Sequence, residues 1–223
     1  ELNVNFDDFT LIVGANAAGK SNLISLCKFI KDIMLGGLDD AVAQQGGIDY
    51  LVNAQIGKTQ PVKIGFELDI TEKWIMRVSS ELGLAINTIS YTFEISPNQR
   101  GKNYRVSYDE LSIKYDCTKI PTSSKKRSEI EHLNMPCSFT YRRKSPQSGY
   151  EVITDIPENV SSQFANHKAP LFVSEFLLND LSREKKEILL YRLGYFVPPF
   201  FSEDNLIKIY DFDPKKLKRP CMI

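Results

Sequence analysis

Residues Gly14-Ala15-Asn16-Ala17-Ala18-Gly19-Lys20-Ser21 match the glycine-loop pattern G-x-x-x-x-G-K-[ST] at every defined position. Each defined residue has a reason rooted in phosphate chemistry. Gly14 stands where the chain must turn sharply, and glycine tolerates backbone angles that other residues resist. Gly19 lets the backbone approach phosphate oxygens with no side chain between them. Successive backbone N–H groups then converge on one anion, and the positive end of the following helix faces the same anion. Lys20 is placed to reach the β- and γ-phosphates, and the Ser21 hydroxyl to coordinate Mg²⁺. The expected ligand is a nucleoside triphosphate.

Such a loop works only between a strand that leads in and a helix that leads out. Phe9-Thr10-Leu11-Ile12-Val13 is an apolar run read as a buried strand entering the loop. From Lys20 to Leu35 apolar residues recur at Leu23, Leu26, Cys27, Ile30, Ile33 and Met34, which is one face of a helix. Gly36-Gly37 supplies the stop.

The rest of the chain changes period. A short second helix is expected over Leu38 to Gln45, stopped by Gly46-Gly47. Val62 to Ile70 then alternates apolar and polar residues, the mark of a half-buried strand. Further strands are read at Trp74–Ser79, Ala85–Ile95, Tyr104–Tyr108, Leu111–Tyr115, Ser138–Arg142 and Tyr150–Ile153. Turn residues separate most of them, at Ser96 to Gly101, Pro121 to Ser124 and Ser145 to Gly149. Consecutive short strands with tight turns imply an antiparallel meander and not βαβ repeats. Helical spacing returns over Ser174–Leu181 and Arg183–Leu193, with Ser182 as a cap for the second, while Asn205–Phe212 reads as a short strand or a helix. The expected organisation is one domain with a glycine-loop core over 1–60, a meander over 61–155 and a mostly helical segment over 156–223.

Composition excludes several function classes. The 223 residues are 42% hydrophobic and 25% charged, with 28 basic and 28 acidic side chains and no formal net charge. Global electrostatics therefore give no argument for nucleic-acid binding, so any such surface must be local. No apolar run approaches the ~20 residues needed to span a membrane, and the N-terminus lacks a signal-peptide pattern. No membrane partner is expected, and the expected location is cytoplasmic. Cys27, Cys117, Cys137 and Cys221 are widely spaced, and neither His132 nor His167 has ligand-like spacing to them. Neither a zinc site nor a disulfide framework is expected. Three basic clusters, Lys125-Lys126-Arg127, Arg142-Arg143-Lys144 and Lys215-Lys216 through Lys218-Arg219, are the places where DNA could be met. Charged loops of this kind are ordinarily only solvated.

One part is missing from the sequence. A P-loop ATPase needs an apolar strand ending in an acid or acid pair, to hold Mg²⁺ and polarise water. After the glycine loop no run of four aliphatic residues ends that way; Leu68-Asp69 and Tyr210-Asp211 are the nearest strings. The chain reads as the binding half of an enzyme.

The form Gly-x-Asn-x-x-Gly-Lys-Ser-Asn, with Asn16 at the third position and Asn22 after the serine, resembles the loop of ABC-type ATPases of the SMC/RecF group. Within that group the chain is most similar to the AAA-family ATPases of the overcoming-lysogenization-defect type. Ala17 departs from the usual glycine. The motif-level likeness covers Leu2 to Leu35, and beyond it the likeness is one of layout. The resemblance implies an α/β P-loop NTPase of ABC type. The part present is its N-terminal lobe, with the loop strand and helix, an antiparallel β-meander and then helices. It implies ATP and Mg²⁺ as ligands, with Gly14, Ala15, Asn16, Ala17, Ala18, Gly19, Lys20, Ser21 and Asn22 as the nucleotide set, Lys20 as catalytic and Ser21 on the metal. It further implies a homodimer that sandwiches ATP between two heads, an associated toxin or nuclease as effector, and action in DNA repair or anti-phage defence. In the family a glutamine or glutamate at the edge of the meander contacts the metal or the attacking water. Glu110, after the Tyr104–Tyr108 strand, is the candidate, with Gln44 and Gln45 behind it. The signature motif, the Walker B acids and the switch histidine of the family's C-terminal half are not identifiable. The alternative is a nucleotide-gated interaction module that does not hydrolyse and controls an effector by its ATP state.

Overall fold

The computed structural model describes residues 4–6, 10–13, 15, 19–51, 61–70, 75–98, 103–120, 131–145, 148–158 and 188–191. The apolar face expected after the loop forms helix α1, Lys20–Gly36. Only its second half is sealed: Phe29, Ile33 and Met34 are buried, whereas Ile24 stands open to solvent. The helix ends at Gly37, whose φ of 87° and ψ of 171° fall in a region essentially reserved for glycine. Gly37 N–H bonds the Ile33 carbonyl at 2.9 Å, and the chain turns at once into α2, Leu38–Gln44. A four-residue helix α3, Ile48–Leu51, follows the Gly46-Gly47 turn. Gly37→Ala is expected to lower folding stability by about 1–3 kcal/mol. The change would be read as a lower urea midpoint at unchanged m-value.

The period-two segment builds one antiparallel sheet of six strands: β1 Val62–Asp69, β2 Ile75–Arg77, β3 Leu82–Pro97, β4 Tyr104–Lys119, β5 Glu131–Arg143 and β6 Glu151–Asp155. Neighbours run β1-β3-β4-β5-β6, and β2 also pairs with β3. Since β4 occupies the other side of β3, β1 and β2 lie end to end along one edge of it. The meander expected from the turn spacing is thus present, with longer strands than the alternation alone marked. The chain is α/β, with its helices and its sheet joined in one apolar cluster.

The sheet has two chemically distinct faces. Cross-strand sets Ile89–Ile113–Phe139 and Tyr91–Leu111–Tyr141 are buried, and they share the apolar cluster with Phe29, Ile33, Leu38 and Ala41 of the helices. Burying each such large apolar side chain contributes about 1.5–3 kcal/mol. Tyr115 and Phe139 meet edge to face at 5.6 Å, the arrangement that ring quadrupoles favour. The opposite face carries Thr92–Glu110–Arg142 and Ser90–Ser112–Thr140 in register, all half-buried.

Two irregularities decide which residue faces which way. The register between β3 and β4 shifts between Ile86 and Thr88 and again between Glu94 and Ile95. At the second shift Glu94 pairs with Tyr108 and Ile95 with Val106, leaving Ser107 as an extra residue on β4. One inserted residue inverts the alternation. Tyr104 and Val106 are buried before it, and Asp109, Leu111 and Ile113 after it. The expected break between Tyr104–Tyr108 and Leu111–Tyr115 therefore does not occur. Asp109-Glu110 is mid-strand in β4, since the bulge absorbs the change of phase without a turn.

Candidate functional site

Gly19 and Lys20 join the glycine loop to the helix. Gly19 is the N-cap residue of α1, in the left-handed conformation with φ 88° and ψ 5°, which glycine adopts at no steric cost. No side chain caps this helix start, and its first turn holds no acidic residue. The first-turn N–H groups therefore face no carboxylate of their own helix, and the helix dipole adds positive potential at the same place. Lys20 Nζ donates to the Ala15 carbonyl at 2.6 Å, closing the end of the loop with its own ammonium. Ser21 and Asn22 are exposed on the first turn. An anionic phosphate fits these residues. Gly14, Asn16, Ala17 and Ala18 lie outside the described residues.

The approach to the loop differs from expectation. Residues 10–13 form no strand, and Leu11, Ile12 and Val13 are 75%, 43% and 81% exposed. The buried strand expected over Phe9–Val13 is absent from its described part. An apolar run becomes a buried strand only when neighbours pair with its backbone and cover its faces. Among the described residues no strand pairs with it.

Glu110 faces the polar side of the sheet, away from the helices' apolar contacts. Tyr108 donates its hydroxyl to the carboxylate at 2.6 Å, and Arg142 both hydrogen-bonds and ion-pairs with it. Burial works against its charge. Hydrogen bonds from Tyr108 and Arg142, with the positive charge of Arg142 and Lys63, outweigh that and hold the carboxyl below its ordinary value. A carboxylate so engaged has little basicity to offer a water molecule. Gln44 and Gln45 sit at the end of α2.

A second constellation was not anticipated from the sequence. Asp109 is fully buried on the core face. It accepts hydrogen bonds from the hydroxyls of Tyr91 at 2.5 Å and of Tyr150, and from Leu189 N–H at 3.1 Å. Leu190 N–H in turn bonds the Tyr91 oxygen at 3.2 Å. Buried Arg143 lies 3.6 Å from the same carboxylate, with its guanidinium 4.9 Å from the centre of the Tyr150 ring. The helix expected over Arg183–Leu193 is helical from Leu189 to Tyr191 in its described part, with Ile188 outside it. Asp109 and Tyr91 thus cap that turn from across the sheet, as a local N-cap residue would. Burial raises the Asp109 carboxyl despite the lowering effects of Tyr150, Tyr91, Arg143 and Leu189. A lone aspartate within an apolar alternation was the available signal.

Among the described residues, the remaining chemistry-bearing side chains form no catalytic group. Cys117 and Cys137 are buried with their sulfurs 4.0 Å apart, and desolvation raises both thiols. No set of metal-ligating side chains converges among the described residues. No helix among them is long and apolar enough to cross a membrane. Of the three basic clusters, only Arg142-Arg143-Lys144 is described, and it is committed to Glu110, Asp109 and Glu151.

The sequence model of one protein family, described as "AAA domain, putative AbiEii toxin, Type IV TA system", matches residues 9–164, an interval that spans the glycine loop, the three helices and all six strands. No match is found among curated proteins or solved structures.

Proposed function

Because the chain belongs to this family of AAA domains, and so to the P-loop NTPases, we propose that it is the Mg-ATP-binding part of an ATPase. The observation that carries the reading is the uncapped, acid-free start of α1 behind left-handed Gly19, with Lys20 folded onto the Ala15 carbonyl. ATP would bring a triphosphate whose γ-phosphoryl can be transferred to water, and Mg²⁺ would offset its charge. The first-turn N–H groups of α1 would then hold the phosphates, Lys20 would offer its ammonium to phosphate oxygens in place of the Ala15 carbonyl, and the Ser21 hydroxyl would serve the metal. Asn16 and Asn22 support placement in the ABC-type SMC/RecF group, and within it near the overcoming-lysogenization-defect type. In that setting two heads close on two ATP molecules as a homodimer. The nucleotide cycle then acts on DNA in repair or on an effector in anti-phage defence. The family's toxin–antitoxin description favours an effector of the second kind.

A second reading has its own support. Glu110 is held by Arg142 and Tyr108 on the polar face and is not available as a base. This favours a module whose bound nucleotide gates an interaction without turnover by this chain alone. Titration with Mg-ATP, followed by heat and by phosphate release, tests both readings. Saturable binding is expected, and absence of binding at millimolar ATP would sink the proposal. Glu110→Gln is expected to leave both binding and any phosphate release within about twofold of the parent, since its carboxylate is already engaged by Tyr108 and Arg142 and offers little basicity. A loss of turnover with intact binding would restore Glu110 as the residue that contacts the metal or the attacking water.

A further inference from the structure

The sheet ends at β6, and every residue of that strand is exposed. It pairs with β5 through five unbroken partners, from Ser138↔Asp155 to Arg142↔Glu151, with no bulge. Among the described residues no strand lies on its outer side. A straight edge with unpaired N–H and C=O groups is a template for another strand. Natural edges are blunted by charged side chains, proline, a bulge or short length; β6 is short and has no lysine, proline or bulge, and its two charges, Glu151 and Asp155, are both acidic. It presents Ile153 on one face and Val152 on the other, 39% and 37% exposed. Glu151 and Asp155 flank Ile153 on the same face.

Those charges select the occupant. A second copy pairing with β6 about Ile153 would set Glu151 opposite the other copy's Asp155, and like charges directly opposite are destabilising. Lys144 answers Glu151 only loosely, at 4.0 Å across exposed surface. We propose that β6 captures an extended segment of a partner protein by strand addition, the segment carrying basic residues at i and i+4 and an aliphatic residue at i+2. Main-chain hydrogen bonds supply the affinity and the alternate side chains the specificity. The aliphatic residue covers Ile153, and the two cations meet Asp155 and Glu151. The inference stands independently of nucleotide binding.

The probe is a nine-residue peptide of threonines with lysine at positions 3 and 7 and valine at position 5, titrated against the full 223-residue chain by fluorescence anisotropy. Saturable binding is expected. It should weaken about tenfold in the double variant Glu151→Lys/Asp155→Lys, whose substitutions fall on exposed side chains. A peptide with its backbone N-methylated at alternate residues should not bind. Equal binding by the methylated peptide, or by the double variant, would overturn the proposal. So would a concentration-dependent dimer that competes with the peptide. Residues Lys215, Leu217 and Arg219 share the basic-apolar-basic spacing. Tighter peptide binding after deletion of 214–220 would overturn the proposal in favour of an occupant within the chain.

Discussion

Asp109→Ala is expected to destabilise the protein by about 3–5 kcal/mol, the range for removing one partner of a buried charge pair. The carboxylate is the common acceptor for Tyr91, Tyr150 and Leu189 N–H, and the anion against which Arg143 is buried. Alanine leaves those donors facing apolar surroundings, and each such donor costs its own desolvation. Urea unfolding measures the loss. Asp109→Asn keeps an acceptor of the same shape and is expected to lose markedly less. The pH dependence separates charge from shape. Burial raises the Asp109 carboxyl in the folded chain above its value in the unfolded chain. Between the two values the folded state holds a proton that the unfolded state has released. The contribution of Asp109 is therefore most favourable below the ordinary carboxylate pKa and is lost as pH rises through the raised value. The stability difference between the parent and Asp109→Asn should change with pH in that window and become flat above it. A difference that is constant with pH would show that the carboxyl is not raised.

Lys20→Ala is expected to weaken Mg-ATP binding by about 10–100-fold. A hydrogen bond to a charged group is worth about 1.5–3 kcal/mol, and each 1.4 kcal/mol is tenfold in affinity. The contact that Lys20 makes with Ala15 is exposed, so folding stability should change by no more than about 0.5 kcal/mol. Calorimetric titration and urea unfolding of the same variant keep the two effects apart. Unchanged affinity would remove the glycine loop from the binding site.

What the sequence made legible depended on how local its cause was. The start and end of α1 follow from Gly19, the apolar face Leu23 to Met34 and Gly37, all within a few turns of one another. β1 follows from alternation in sequence, and β3 alternates from Ile89 to Ile95, beyond its register shift at Ile86/Thr88. Two separate strands, Tyr104–Tyr108 and Leu111–Tyr115, were expected, with Asp109-Glu110 between them. That expectation failed because Ser107 bulges and lets β4 run on. Beyond the bulge Asp109 faces inward and Glu110 outward. Leu11 to Val13 failed for the opposite reason. A strand's burial belongs to its neighbours, and nothing in the run itself supplies them. The turn at Leu189 was readable only as helix, because its caps come from residues 80 and 99 positions away.

The order of the strands also sets an order in time. β3, β4 and β5 each pair with the strand next in sequence, so the chain closes only short loops to assemble them, the shortest where Pro97 meets Tyr104. Short closures cost little entropy and proceed quickly. The bond from Leu189 to Asp109 closes a span of 80 residues, a slow step that gains its partners only once Tyr91, Asp109 and Arg143 stand side by side. The last described strand of the sheet ends at Asp155, ahead of Leu189 in the chain. Until that closure Asp109 lacks the Leu189 N–H among its donors, so the polar group inside the core is completed by the partner most distant from it in sequence.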